Sequence, residues 1–168
     1  MDVVVNDTNI FIDLFNMGLL DDTMKLPLNF HTVDYVIHEI EDEKQKQVLE
    51  QLISNNKIQV KSFDENEMTE ILNLYTTRSN NVSITDCAVW LYAKNNNYRL
   101  LTGDNKLRSS ASNDGVIVSG ILFITDKLVE HNITSKQIMI EKLQTLLISN
   151  KRLPKKLIED RIQTYKEG

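Results

Sequence analysis

The sequence predicts an α/β chain: a three-layer α/β/α sandwich around a central, mostly parallel sheet of about five strands. Two observations predict it. Short apolar or alternating runs recur along the chain, with segments of helical periodicity between them. Helix-start signals stand between those runs, and only two prolines and five glycines interrupt the 168 residues. No repeat, low-complexity stretch or Pro/Gly-rich linker divides the chain. It therefore reads as one domain over residues 1–168, with 151–168 as a C-terminal helical extension.

The elements follow in order. Asp2 to Asn6 carries the apolar run Val3-Val4-Val5, a short buried strand. A helical stretch spans about Thr8 to Phe15, and Leu28 to Val33 is the second strand. Asp34 can cap a long helical region with apolar residues at Val36, Ile37, Ile40, Val48, Leu49, Leu52 and Ile53. Ile58 to Phe63 alternates as a strand does. Asp64 and Glu67 form an N-terminal cap signature for a helix to about Thr77, and Ser83 opens another over ITDCAVWLYAKNNN. Tyr98 to Thr102 and Val116 to Ser119 are strands. Two or three helices close the chain, and Pro154 stands where the last can begin.

Composition narrows the function. Apolar residues at 41% and charged residues at 26% are ordinary for a soluble globular protein, and no apolar run approaches the roughly 20 residues that span a bilayer. The start, MDVVVNDTN, lacks the basic region of a secretory signal, so the cytoplasm is the expected location, with no membrane contact. A single cysteine, Cys87, excludes an internal disulfide, and His31, His38 and His131 are scattered without zinc-type spacing. A metal site here has to be built from oxygen ligands, which suits Mg²⁺ or Mn²⁺. The net charge of −5 leaves no overall basic footprint for nucleic acid, yet a nuclease that gathers carboxylates at its centre is acidic overall and can bind a backbone through local Lys and Arg.

Parallel sheets bind ligands beyond the carboxyl ends of their strands. That rule sorts the acids. Asp7 follows the first strand, Asp104 follows the Tyr98–Thr102 strand, and Glu39 lies on the helix leaving the second strand. Asp86 joins them if its helix begins on the same rim. Clustered carboxylates hold hard divalent cations against a phosphate, and three or four around one pocket suffice for phosphodiester hydrolysis. Each acid also has a plain structural reading. Asp7 can cap a helix, Glu39 can be one solvated acid beside Glu41, Asp42 and Glu43, Asp86 can complete a capping box with Ser83, and Asp104 can be a turn acid.

Four segments carry a resemblance. VVVNDTNIFIDLF, TVDYVIHEI, SITDCAVWLYA and RLLTGDNKLRSSA are similar, in this order, to the motifs of PIN domains, and VIVSGILFITDKLVEHNIT with the late RLP resembles the tail of bacterial members. The resemblance covers the chain to about Asn150 and implies a Mg²⁺- or Mn²⁺-dependent nuclease acting on RNA. It implies that Asp7, Glu39, Asp86 and Asp104 bind metal and orient the attacking water. Asn9 and Thr102 fall on motif positions that support such a site. Small prokaryotic members are often toxins, so the resemblance also implies an antitoxin partner and a homodimer. Two departures stand out: the chain runs on through LPKKLIEDRIQTYKEG, and the segment from Asp34 to Asn56 is long.

Lys106 and Arg108, close behind Asp104, are candidate contacts to substrate phosphate or simply a solvated loop. Lys151, Arg152, Lys155 and Lys156 form a basic cluster that could hold RNA or an acidic partner. Trp90, Tyr92, Leu143, Leu146 and Leu147 read as core, and Cys87 as a small buried residue. Two rivals remain. A phosphatase on a doubly wound fold would want a second acid where Asn9 stands. A degenerate PIN domain would bind RNA or protein without catalysis, and the four intact acids argue against it.

Overall fold

The computed structural model describes residues 1–78 and 81–168, which form five strands and ten helices. The first half alternates in the expected way: β1 (Asp2–Asn6), α1 (Thr8–Asn16), the short α2 (Leu20–Thr23), β2 (Leu28–Val33), α3 (Asp34–Glu39), α4 (Glu43–Ser54) and β3 (Ile58–Lys61). The second half runs α5 (Glu65–Thr77), α6 (Ile84–Asn96), β4 (Arg99–Leu101), α7 (Asn105–Asn113), β5 (Val118–Ser119), then α8 (Ile121–Glu130), α9 (Lys136–Ser149) and α10 (Lys155–Glu167). The predicted sandwich is the observed architecture. The strands form one sheet in the order β3-β2-β1-β4-β5, and every neighbouring pair is parallel.

Strand periodicity builds the two faces. Successive strand residues point to opposite sides of a sheet. Val4, Phe30 and Leu101 accordingly enter one hydrophobic layer with α1, α2, α4, α8, α9 and α10, while Val5, Val33 and Leu100 enter the other with α3, α5, α6 and α7. Trp90, Cys87, Leu143 and Leu146 are fully buried core residues, and Leu147 packs partly buried beside them. Tyr92 is half-buried, bonded through its hydroxyl to His31 Nδ1 (2.8 Å) and packed edge-on against Phe63 and Tyr98. The last helix belongs to the first layer through Ile158, Ile162 and Tyr165. Tyr165 also donates its hydroxyl to Asp126 on α8 (2.5 Å), and Arg161 pairs with the same carboxylate.

Two local readings are corrected. The long helical region after Asp34 is two helices, because Ile40 turns extended (φ −79°, ψ 110°) and the Asp42 side chain accepts from Gln45 N–H to start α4 afresh. Asp34 accepts from Tyr35 N–H at the start of α3 rather than capping one continuous helix. The segment after Asp104 is not a loop but α7. The capping boxes of Asp64 with Glu67 and of Ser83 with Asp86 both form as read, and Pro154 directly precedes α10. Among the described residues no helix is long and apolar enough to cross a membrane.

Candidate active site

The chain lays β2 and β3 to one side of β1 and returns to place β4 and β5 on the other. The sequence order therefore reverses between β1 and β4. In open parallel sheets that reversal opens a crevice at the carboxyl ends of the two strands. Asp7 is the residue after β1, and Asp104 follows β4 by three. Topology alone sets these two acids on either side of the crevice.

Hydrogen bonds then join the acids in a chain. Asp7 caps α1, its Oδ1 accepting from Thr8 N–H (2.8 Å), while its Oδ2 accepts from the Thr102 hydroxyl (2.8 Å). The Thr102 hydroxyl oxygen in turn accepts from Asp104 N–H (3.1 Å), so one fully buried threonine couples Asp7 to Asp104. On the other side the Thr8 hydroxyl donates to Glu39 Oε2 (2.8 Å) and fixes the end of α3 against the start of α1. Asp104 caps α7, its Oδ1 accepting from Leu107 N–H (2.8 Å). Asp86 completes its capping box, its Oδ2 accepting from Ser83 N–H (2.8 Å).

The electrostatics tie Asp86 to the same group. Burial pushes the Asp7 carboxyl up to about 7, the Asp86 charge adds to the rise and Glu39 adds least, against the pull of the bonds from Thr102 and Thr8. Burial also raises Asp86, with the Asp104 and Glu39 charges pushing the same way and the Ser83 bonds opposing. The repulsion relates Asp7 to Asp86 and Glu39, and Asp86 to Asp104 and Glu39. Among the described residues none of these four acids takes part in an ion pair. Nor do any three His, Cys, Asp or Glu side chains close on one point as a ready-made metal cage.

The supporting residues divide. Thr102 lies at the heart of the chain of bonds, whereas Asn9 is exposed and lines a neighbouring groove with Lys106. Arg108, on α7, reaches back to the end of β4, Nη2 donating to Thr102 O (3.3 Å), and its Nε is buried without a partner among the described residues. Thr8 is the residue the sequence reading passed over. It stands between two residues singled out, Asp7 and Asn9, but its contact to Glu39 spans 31 positions and leaves no local trace.

A family model described as a PIN domain matches residues 3–167. No curated protein matches the chain. Among solved structures, the crystal structure of VapBC2 from Rickettsia felis, bound to a DNA fragment from their promoter, is similar at 15% identity and a TM-score of 0.50, over 70% of this chain and 98% of that one. A domain of a functionally unknown protein from Methanocaldococcus jannaschii DSM 2661 is similar at 20% identity and a TM-score of 0.47, over 71% of this chain and 91% of that one. FitAcB from Neisseria gonorrhoeae is similar at 16% and 0.42, over 68% and 95%. The likeness to the R. felis structure is one of fold, in keeping with the parallel sheet between helical layers. With the family's model matched over nearly its whole length, the chain belongs to the PIN-domain family.

Proposed function

We propose that this protein is a Mg²⁺- or Mn²⁺-dependent ribonuclease that hydrolyses RNA phosphodiester bonds, with Asp7, Glu39, Asp86 and Asp104 as its metal-binding and catalytic acids. One observation carries the reading: Asp7 and Asp104 flank the sheet's switch point, the Asp86 and Glu39 charges bear on Asp7, and no side-chain cation pairs with any of the four among the described residues. The donor set fits a hard divalent cation. Every donor is oxygen, and Asp7 has no counter-ion among the described residues. Mg²⁺ is commonly held by only one or two carboxylates and keeps several waters, so a closed protein cage is not needed.

A bound divalent ion supplies charge for the developing negative oxygens of the displacement and makes water a better nucleophile. The chain's own residues do the positioning. Thr8 and Thr102 orient Asp7 through both its oxygens. Glu39, Asp86 and Asp104 each spend one oxygen on a protein hydrogen bond, and among the described residues the other has none. Those free oxygens are the ones available to an ion or to the hydrogens of an attacking water. Lys106, two residues past Asp104, offers charge to the phosphate backbone.

The test is cleavage of labelled RNA by purified protein with Mg²⁺ or Mn²⁺, and its arrest by chelator. Asp7→Asn and Asp104→Asn should each abolish cleavage while circular dichroism stays unchanged. Cleavage at the wild-type rate in either variant sinks the assignment. RNA binding without cleavage would favour the non-catalytic reading. The phosphatase reading has no support in the family match. The family resemblance also supports a toxin role, with a short antitoxin chain over the acidic pocket and a homodimer as the assembled form. A strict monomer by light scattering at micromolar concentration would remove the dimer. Failure to co-purify with the product of a neighbouring gene would remove the toxin role.

A further inference from the structure

Beside Asp104 lies a groove of about 330 Å³. Its sides come from three parts of the chain: Asn9 and Asp13 on α1, Asp104 and Lys106 at the start of α7, and Asn150 and Arg152 in the segment before α10. The volume falls in the range of about 300–1,000 Å³ typical of small-ligand sites. Its lining is mixed and charged rather than apolar.

The segment before α10 is a fixed wall. Asn150 Nδ2 donates to both carboxylate oxygens of Asp13 (2.9 and 3.2 Å), and Asn150 Oδ1 accepts from Arg152 N–H (3.1 Å). Leu153, next along, is buried in the core layer that holds α10. Asp13 is itself buried and satisfied by an amide, so it does not draw in a cation. The Lys106 and Arg152 side chains are exposed, and neither takes part in an ion pair among the described residues. A chain with net charge −5 thus presents two cations, unpaired among the described residues, on one groove that reaches Asp104. A ligand that continues from Asp104 into the groove has to be anionic and extended.

We infer that this groove is the subsite for the nucleotide flanking the scissile bond of single-stranded RNA, with Lys106 and Arg152 on its backbone phosphates and the Asn150–Leu153 segment as its outer wall. The inference rests on the proposed ribonuclease reading for the ligand's identity. Basic side chains placed along a groove to meet a backbone are the usual device for single strands. No aromatic ring lines the groove among the described residues, so its contribution is electrostatic and salt-dependent.

The experiment is fluorescence anisotropy of a labelled single-stranded RNA in Mg²⁺, with every protein carrying Asp7→Asn so that the RNA stays whole. Adding Lys106→Ala and Arg152→Ala should weaken binding about tenfold and lower the slope of log affinity against log salt by about 1.4, two contacts at about 0.7 each. A charge-keeping pair, Lys106→Arg with Arg152→Lys, should bind like the parent, which separates lost charge from lost folding. Affinity within about twofold of the parent and an unchanged salt slope in the alanine pair would overturn the subsite. So would loss of binding in the charge-keeping pair, or no binding by the parent. Anisotropy that decays with time in the parent would instead remove Asp7 from the catalytic assignment, while its initial value still reads the groove.

Discussion

Replacing Asp7 by Asn should make the metal-free protein more stable, and the size follows from where the carboxylate sits. Asp7 is only 3% exposed, and burial with the Asp86 and Glu39 charges raises it from an ordinary 3.8 to about 7. Below about pH 4 both folded and unfolded chains carry the proton at this position. Between about pH 4 and 7 the folded state holds a proton that the unfolded chain has released, so wild-type stability falls as pH rises through that window. The rise is about three pH units at about 1.4 kcal/mol each, so the ionised carboxylate costs about 4 kcal/mol above pH 7. An Asn side chain avoids that cost but loses about 1 kcal/mol of charge-assisted hydrogen bonding to Thr8 and Thr102. The net gain is about 3 kcal/mol, or about 6–12 °C in Tm for a chain of this size. The assay is thermal unfolding of both proteins in chelator from pH 4 to 8. The difference in Tm should grow with pH and level off just above 7. With Mg²⁺ at about a hundred times its Kd the wild type regains about 2.7 kcal/mol, and the gap nearly closes. A difference that is flat with pH, or a variant that melts lower than wild type at pH 8 in chelator, refutes the reasoning.

Three further outcomes follow. Asp86→Asn should also raise the metal-free Tm at neutral pH, because burial and the Asp104 and Glu39 charges oppose its ionisation; a lower Tm in chelator, with equal Mg²⁺ shifts in both proteins, would reduce Asp86 to a cap. Thr102→Val should cost about 1–3 kcal/mol in chemical denaturation and most of the RNA cleavage, since it strands Asp104 N–H and removes the donor to Asp7; Thr102→Ser should restore both, and a valine variant with normal cleavage would clear Thr102 of any positioning role. Asn150→Ala should destabilise by about 1–3 kcal/mol and more at pH 8 than at pH 4, because the lost amide serves the ionised form of Asp13, whose burial already raises its pKa; a cost independent of pH would mean that the amide does not serve the Asp13 charge.

What the sequence disclosed was whatever local pattern encodes. Strands appeared as alternating or apolar runs, and the Asp64 and Ser83 boxes marked two helix starts correctly because a capping box is written within four residues. The break between α3 and α4 was hidden by apolar residues whose helical spacing runs across it, although Asp42 with Gln45 carried the start signal. Helix α7 was hidden for the opposite reason. NKLRSSASN shows only Leu107 and Ala111 as an apolar i, i+4 pair, and both are fully buried. The strand order was not legible either, since nothing in the chain states that β4 pairs with β1 rather than with β3. The bonds that assemble the site are the least local of all. Thr102 reaches Asp7 across 95 positions, and Asn150 reaches Asp13 across 137. Such contacts follow from the fold and cannot precede it.

The structural and functional readings of the acids are not alternatives, because a carboxylate has two oxygens. Asp7 and Asp104 cap α1 and α7, and Asp86 is the acid of the α6 capping box. Each of these three acids therefore sits at a helix N-terminus, whose N–H dipoles stabilise negative charge. Those dipoles offset the charge of acids that pair with no side-chain cation among the described residues. Capping also fixes their rotamers: in Asp86 and Asp104 one oxygen is committed to the backbone, and the other is left without a protein partner among the described residues. Glu39 is the exception that supports the point. It ends α3, where the helix dipole disfavours a negative charge, and it is held by the Thr8 hydroxyl instead. Glu39 itself stays exposed, so this one bond is what ties it to the start of α1. Thr8 itself starts the helix that Asp7 caps, so the second and first acids are positioned by consecutive residues of one turn. The same local geometry that ends strands and begins helices thereby sets the spacing of the charges, and a capping signature in a switch-point loop is where a metal-binding acid is expected to be found.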